Sequence, residues 1–313
     1  MKTKFLTLIL SAILFFLASC QTGIPNETEE PQSDEQTTVN ENLSEESNET
    51  NIDDSQYVLI RQIGYDANGN QIFRYEFTYD ELGNIKCEQY YSYNELITRT
   101  DNTYNLDQQL IQTVYTDFYS GSAQSYIYDY EYDTNGNVTV KQITDISGNL
   151  TIHTYEYDDS GKLLKVSNSN NASQTIYTYP DENTCIILTE SQQGGSTTFF
   201  QTQETYDNNR NLICQTVYQQ NSYENIEYEL IYTYNEYKLQ LTSEIYMDGT
   251  LNGGTYNEYA CGCLIRATHQ DANGIYLIEE YEYDQYGNLI KNVSKMPSGL
   301  TMQYVVYEYD IIN

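Results

Sequence analysis

From residue 57 onward the chain alternates apolar or aromatic positions with polar ones at period two, in short runs broken by Gly, Asn and Asp. "TIHTYEYD" from Thr151 and "YLIEEYEYD" from Tyr276 are of this kind, rich in Tyr, Thr and Ile; Tyr155 and Tyr157 alternate with Glu156 at period two, the tyrosines on one face and the acid on the other. The breaks recur. Aligning on the Tyr that precedes Asp or Asn marks Tyr79, Tyr104, Tyr132, Tyr157, Tyr179, Tyr206, Tyr234, Tyr256, Tyr283 and Tyr309, with Pro180 replacing the acid once, a period of about 26 residues. A second set of turn signals falls roughly halfway between: "DISGN" at Asp145, "NSNN" at Asn168, "QQGG" at Gln192, "MDG" at Met247, "DANG" at Asp271 and "MPSG" at Met296. One period is therefore two strands and two turns. The expectation is an all-β fold: a long antiparallel meander of roughly twenty strands, a curved or spiralled sheet with no helix after the first twenty residues.

"YDTNGN", "YDELGN", "YDDSGK" and "YDQYGN" read as turn chemistry. Asp can cap the turn through its side chain, Gly supplies the positive φ that a type I turn with a bulge demands, and Asn or Lys leads out. A calcium loop needs several converging carboxylates and a bidentate Glu at a fixed distance, and no such Glu recurs. No metal and no cofactor is expected.

The pattern Tyr-x-Tyr-Asp-x-x-Gly-Asn-Leu-Ile at Tyr281 to Ile290, with variants at Tyr130 to Val138 and Tyr155 to Leu164, resembles the YD repeat of the Rhs family. The likeness spans Tyr57 to Asn313. It implies a spiralled β-sheet, which in that family often encloses a toxic C-terminal domain, and some members are surface proteins implicated in carbohydrate binding. About ten units are too few for a large closed shell, and ending at "YEYDIIN" leaves no room for an effector or a self-cleaving core. The resemblance therefore implies the repeat fold without a toxin role.

The first twenty residues differ in kind. Lys2 and Lys4 precede an apolar run from Phe5 to Leu17, too short to span a membrane comfortably and of the length of a signal peptide's apolar region. Leu17, Ala18, Ser19 and Cys20 resemble the lipobox of bacterial lipoproteins, which implies cleavage before Cys20 and lipidation of its thiol. Residues 1–19 are then a lipoprotein signal peptide. Residues 20–56 are a lipidated Cys followed by a disordered tether, since Gln21 to Gln56 hold eleven acidic residues and no Lys, Arg or aromatic. Residues 57–313 form the repeat domain.

Charge narrows the partners. Removing residues 1–20 takes away Lys2 and Lys4 from the 14 basic residues and leaves all 46 acids, so the mature chain carries a net charge of −34. Nucleic acid is excluded, because phosphate binding needs Lys and Arg to displace counterions. The chain has 35 Tyr and no Trp, which suits a long single sheet: Tyr buries a ring while its hydroxyl stays wet.

Catalytic chemistry is sparse. The two His, His153 and His269, lie in neither a metal-ligand nor a triad spacing, and no carboxylate pair stands out, so no catalytic residue is assigned and no enzyme is expected. Cys87 and Cys214, each eight residues past a repeat Tyr, read as buried thiols. Cys261 and Cys263 in "YACGCLI" fall in a repeat turn two residues longer than "YDQYGNLI".

These readings describe an exported lipoprotein, anchored to a bacterial membrane through Cys20 on its extracytoplasmic side, that works by binding a carbohydrate or an envelope component. The alternative is a structural spacer, or a fragment of a larger Rhs-type array with no discrete ligand. The candidate glycan contacts are Tyr237, Tyr259 and Tyr286, three residues past their repeat Tyr, where other units carry residues such as Leu82, Asn135 or Ser160. If these turns share one edge, the rings form an exposed row suited to stacking on sugars.

Overall fold

The structure, a computed structural model, describes residues 56–119, 122–170, 173–193, 196–220 and 225–312. The residues read as a signal peptide, Cys20 and nearly all of the segment read as an acidic tether lie outside them, as do parts of the turns read at Asn168 and Gln192. The described chain is strand after strand. The first ten are β1 Gln56–Asp66, β2 Gln71–Tyr79, β3 Ile85–Ser92, β4 Glu95–Tyr104, β5 Leu110–Asp117, β6 Gln124–Tyr132, β7 Val138–Thr144, β8 Leu150–Tyr157, β9 Leu163–Asn168 and β10 Gln174–Asp181. The next ten are β11 Thr184–Gln193, β12 Ser196–Tyr206, β13 Leu212–Gln220, β14 Asn225–Tyr234, β15 Gln240–Met247, β16 Thr250–Ala260, β17 Cys263–Asp271, β18 Gly274–Tyr283, β19 Leu289–Lys295 and β20 Thr301–Ile312.

Every strand pairs antiparallel with the one before and the one after it, and β20 pairs with β1, so the meander closes into a twenty-stranded barrel. The ten units do close, though as one circuit of strands. The closing pair is long, running from Gln56↔Ile312 to Asp66↔Gln303 with one register shift between Leu59 and Arg61. β9 and β10, by contrast, share only three register pairs.

The turns build as their sequence indicates. In the turn after β6, the Asp133 backbone exchanges hydrogen bonds with Asn137 and Gly136, and Gly136 holds φ 85°. Asp133 Oδ1 accepts from the amides of Asn135 and Asn137, both at 2.9 Å, while Oδ2 accepts from Asn137 Nδ2 at 2.9 Å. The Asn after the Gly thus locks the capping carboxylate. The same arrangement recurs at Asp66, Asp80, Asp145, Asp207 and Asp284. Where Gly is missing, Gln108, Arg210 and Lys238 take the left-handed position at φ 62–68°, and none is β-branched.

The repeat Tyr hydroxyls are not left to water. Tyr132 donates to the carbonyl of Leu110 at 2.6 Å; Tyr104, Tyr157, Tyr179, Tyr234, Tyr283 and Tyr309 make the matching bond to the first or second residue of the preceding strand, and Tyr79 to Leu59, the fourth residue of β1. Tyr206 instead donates to Glu204 Oε2. The bond gives the apolar residue after the turn a role: Ile85, Leu110, Val138, Leu163, Leu212 and Leu289, each the first residue of its strand, offer their carbonyls to the Tyr that closes the next strand. A register shift beside the Tyr, as between Glu131 and Tyr132, accompanies it.

The two faces of the sheet differ. In the Tyr-x-Tyr ends of the even strands, the tyrosines are half-buried, whereas the residues between them, such as Glu131, Glu156 and Glu282, are exposed. The tyrosine face is the sheltered one, and in a closed sheet that is the concave, inner face. Burial pushes up the phenols of Tyr179, Tyr232 and Tyr307, each to about 12. Salt bridges such as Lys165–Glu156 and Arg61–Glu308 decorate the outer face. Barrels of 16 to 18 strands already leave space that side chains do not fill. Consistent with that, no large side chain among the described residues is fully buried, and no strand packs on any but its ring neighbours. The tightest packing lies across the closure, where Ala267, Val293, Ser294, Val305 and Ile63 are buried in or beside β17–β20 and β1.

Candidate functional site

The turns that follow even-numbered strands all lie at one rim of the barrel, together with the start of β1 and the end of β20. Tyr237 and Tyr286 sit at turn tips on this rim, 74% and 63% exposed. Their amides donate to the capping Asn235 and Asp284, which holds the backbone under each ring. Tyr286 also stacks on Tyr57 of β1, with centroids 5.2 Å apart and planes at 23°.

Tyr259 is elsewhere. It lies within β16, half-buried, and its hydroxyl donates to the Gln240 carbonyl at 2.8 Å, the bond that marks a repeat Tyr. In that unit Tyr259, and not Tyr256, closes the strand, so the alignment slips there by three residues. The Cys261 turn is correspondingly short: Ala260 pairs with Cys263, and Cys261 and Gly262 form the connection at φ 50° and 80°. The row of three rings is thus two tips, four strands apart. All five described Cys are free thiols; Cys87 is buried, whereas Cys214 is half-buried with its Sγ 3.3 Å from Glu229.

Between the neighbouring rim turns after β2 and β4 lies a groove of about 290 Å³, lined by Asp80, Leu82, Asn84, Lys86, Asn102, Tyr104 and Gln108 among others. Half of its polar side chains are amides, those of Asn84, Asn102, Asn105 and Gln108.

On the inner face the fold assembles a buried polar chain that no spacing announced. His269 Nδ1 is 3.0 Å from Thr255 Oγ1, and His269 Nε2 is 3.1 Å from Glu279 Oε2. Tyr281 donates to the same Glu279 oxygen at 3.0 Å. Burial raises the Glu279 carboxyl, but the bonds from His269, Tyr281 and Ser294 outweigh it and hold the carboxyl below its ordinary range. Strand register brings these groups together: Thr255 faces His269, and Ala267 faces Glu279, across consecutive strands. Period two places each on the sheltered face, but only the register pairs them. His153, in mid β8, is held below its ordinary pKa by burial and by Lys141. Among the described residues no group of three metal-ligating side chains converges.

No family model matches the chain, and no curated protein matches it. Among solved structures it is similar to TcdB2-TccC3-Cdc42 at TM-score 0.36 and 15% identity, over 75% of this chain and 15% of that one. A porin-like protein from Bacteroides vulgatus ATCC 8482 gives TM-score 0.38 and 10% identity over 80% of this chain and 98% of that one. Another from Bacteroides uniformis ATCC 8492 gives TM-score 0.36 and 10% identity with the same coverage. At these scores the architecture rests on the strand pairing itself.

Proposed function

We propose that this is an exported protein, held to a bacterial membrane through acyl chains on Cys20, whose barrel binds carbohydrate or another envelope component. The observation that carries the binding reading is the tyrosine-lined inner face of a closed sheet too wide to be filled by its own side chains. Ring faces stack on the apolar faces of sugars, and the flanking Thr, Asn and Gln supply hydrogen bonds. Tyr237 and Tyr286 extend the surface to the rim. The Thr255–His269–Glu279 chain is read as structural, its groups satisfying one another within the wall.

The anchor and the ligand are tested separately. Labelled palmitate is incorporated by the wild type and not by Cys20→Ala, which is released from the membrane fraction; unchanged labelling sinks the lipoprotein assignment. On a glycan array the wild type gives selective signal, and Tyr237→Ser with Tyr286→Ser weakens it at unchanged melting temperature. Silence across glycans and wall fractions favours a structural spacer instead.

A further inference from the structure

One sector of the inner wall differs from the rest of this acidic protein. Tyr130 stands directly opposite Lys141, Lys141 opposite His153, and His153 opposite Asn168, a single row across β6–β9. All four are half-buried, so the row remains open to the interior. The Lys141 ammonium lies over two rings, 5.0 Å from the Tyr128 centroid and 5.7 Å from that of Tyr130. No carboxylate shares the inner face of these four strands. Asp129 and Glu131 alternate outward between the tyrosines, Glu156 is outside with Lys165, and Asp133, Asp145 and Asp158 are committed to turns.

A cation steered by ring faces, without an acid to neutralise it, is half of a recognition pair. Its missing half is an anion attached to something that stacks. We propose that the Tyr130–Lys141–His153–Asn168 row is a subsite for a carboxylated sugar: Lys141 pairs with the carboxylate, Tyr128 and Tyr130 flank the pyranose, and Asn168, whose Oδ1 accepts from the Asn170 amide, donates a hydrogen bond through Nδ2. A charge-assisted bond of this kind is about twice as strong as a neutral one. The carboxylates of the outer face lie across the wall, and ionic screening acts over about 8 Å at physiological salt. They disfavour a dense polyanion and leave room for a glycan whose carboxylates are isolated. This inference rests on the glycan-binding reading above and narrows it.

The test uses the mature full-length chain, with sialyllactose and lactose as probes in titration calorimetry. The wild type binds sialyllactose about tenfold more tightly than lactose, a difference of roughly 1.4 kcal/mol. Lys141→Met abolishes that preference at unchanged melting temperature, and Lys141→Arg retains it. If the wild type binds both sugars equally and Lys141→Met changes neither, the acidic-sugar subsite is wrong while glycan binding stands. If the wild type binds neither probe nor any glycan on the array, both readings fall.

Discussion

At the scale of single residues, the repeat is a set of hydrogen bonds written into sequence. Asp-x-x-Gly-Asn closes each turn because one carboxylate serves two backbone amides and the Asn side chain. Those bonds, led by the one from Asn137, hold the Asp133 carboxyl below its ordinary value of 3.8. Gly136→Val therefore destabilises the barrel by about 1–2 kcal/mol, the cost of a β-branched residue at positive φ. Gly136→Lys is milder, since Lys238 already occupies the equivalent position at φ 63°. Thermal melts of both variants check the order, and added calcium leaves every melt unmoved if the carboxylate belongs to the turn. A calcium-dependent rise lost in Asp133→Asn contradicts it. Tyr132→Phe removes the bond to the Leu110 carbonyl and costs about 0.5–1.5 kcal/mol, measured by denaturant titration.

At the scale of elements, joints of unequal length divide the ring. The closing pair of β1 and β20 carries ten register pairs and lies beside the best-buried residues, whereas β9 and β10 share three. Opening free energies follow the number of bonds broken and the apolar surface exposed. Amides of β9 and β10 accordingly exchange with solvent well before those of β1 and β20, although the latter join opposite ends of the chain. Hydrogen exchange read by fragment resolves the two. Protection that is lowest at β1–β20 contradicts the model of a ring sealed most firmly at its seam.

At the scale of the whole molecule, closure removes the sheet edges that an open meander exposes to aggregation. It also gives the tyrosines a sheltered side, and that sets an alkaline limit. Burial raises the phenols of Tyr179, Tyr232 and Tyr307 to about 12, while an unfolded Tyr ionises near 10. A group whose folded pKa lies above its unfolded one contributes stability that is complete below the unfolded value and is lost as pH rises toward the folded value. The barrel thus loses stability from about pH 10 upward. Tyrosinate absorbance lags behind that of model phenols and then rises cooperatively with loss of the β-sheet circular dichroism signal. Tyrosines that titrate freely at 10 with the sheet intact contradict a sheltered inner face. The turn aspartates act in the opposite sense: their folded pKa values lie below the ordinary 3.8, so their contribution is full above it and fades only as pH falls further.

The repeat, the strand count and the turn chemistry were legible in the sequence because each depends on neighbours a few residues away: period two for a strand, Asp-x-x-Gly for a turn. Closure was not, since pairing β1 with β20 depends on curvature summed over every strand between Gln56 and Ile312. The same limit governs the sites. Tyr237 and Tyr286 were placed on turn tips correctly, because the turn defines them. Tyr259 was misplaced because "YNEYACG" offers two tyrosines to the repeat, and only the bond to Gln240 shows which one closes the strand. The hydroxyls expected to stay wet were claimed by carbonyls on the preceding strand, about twenty residues back in sequence. Thr255 meeting Glu279 through His269, and Lys141 facing His153 in a sector without carboxylates, followed from cross-strand register. Register is a property of paired strands, and a single strand's alternation tells only which face a residue takes.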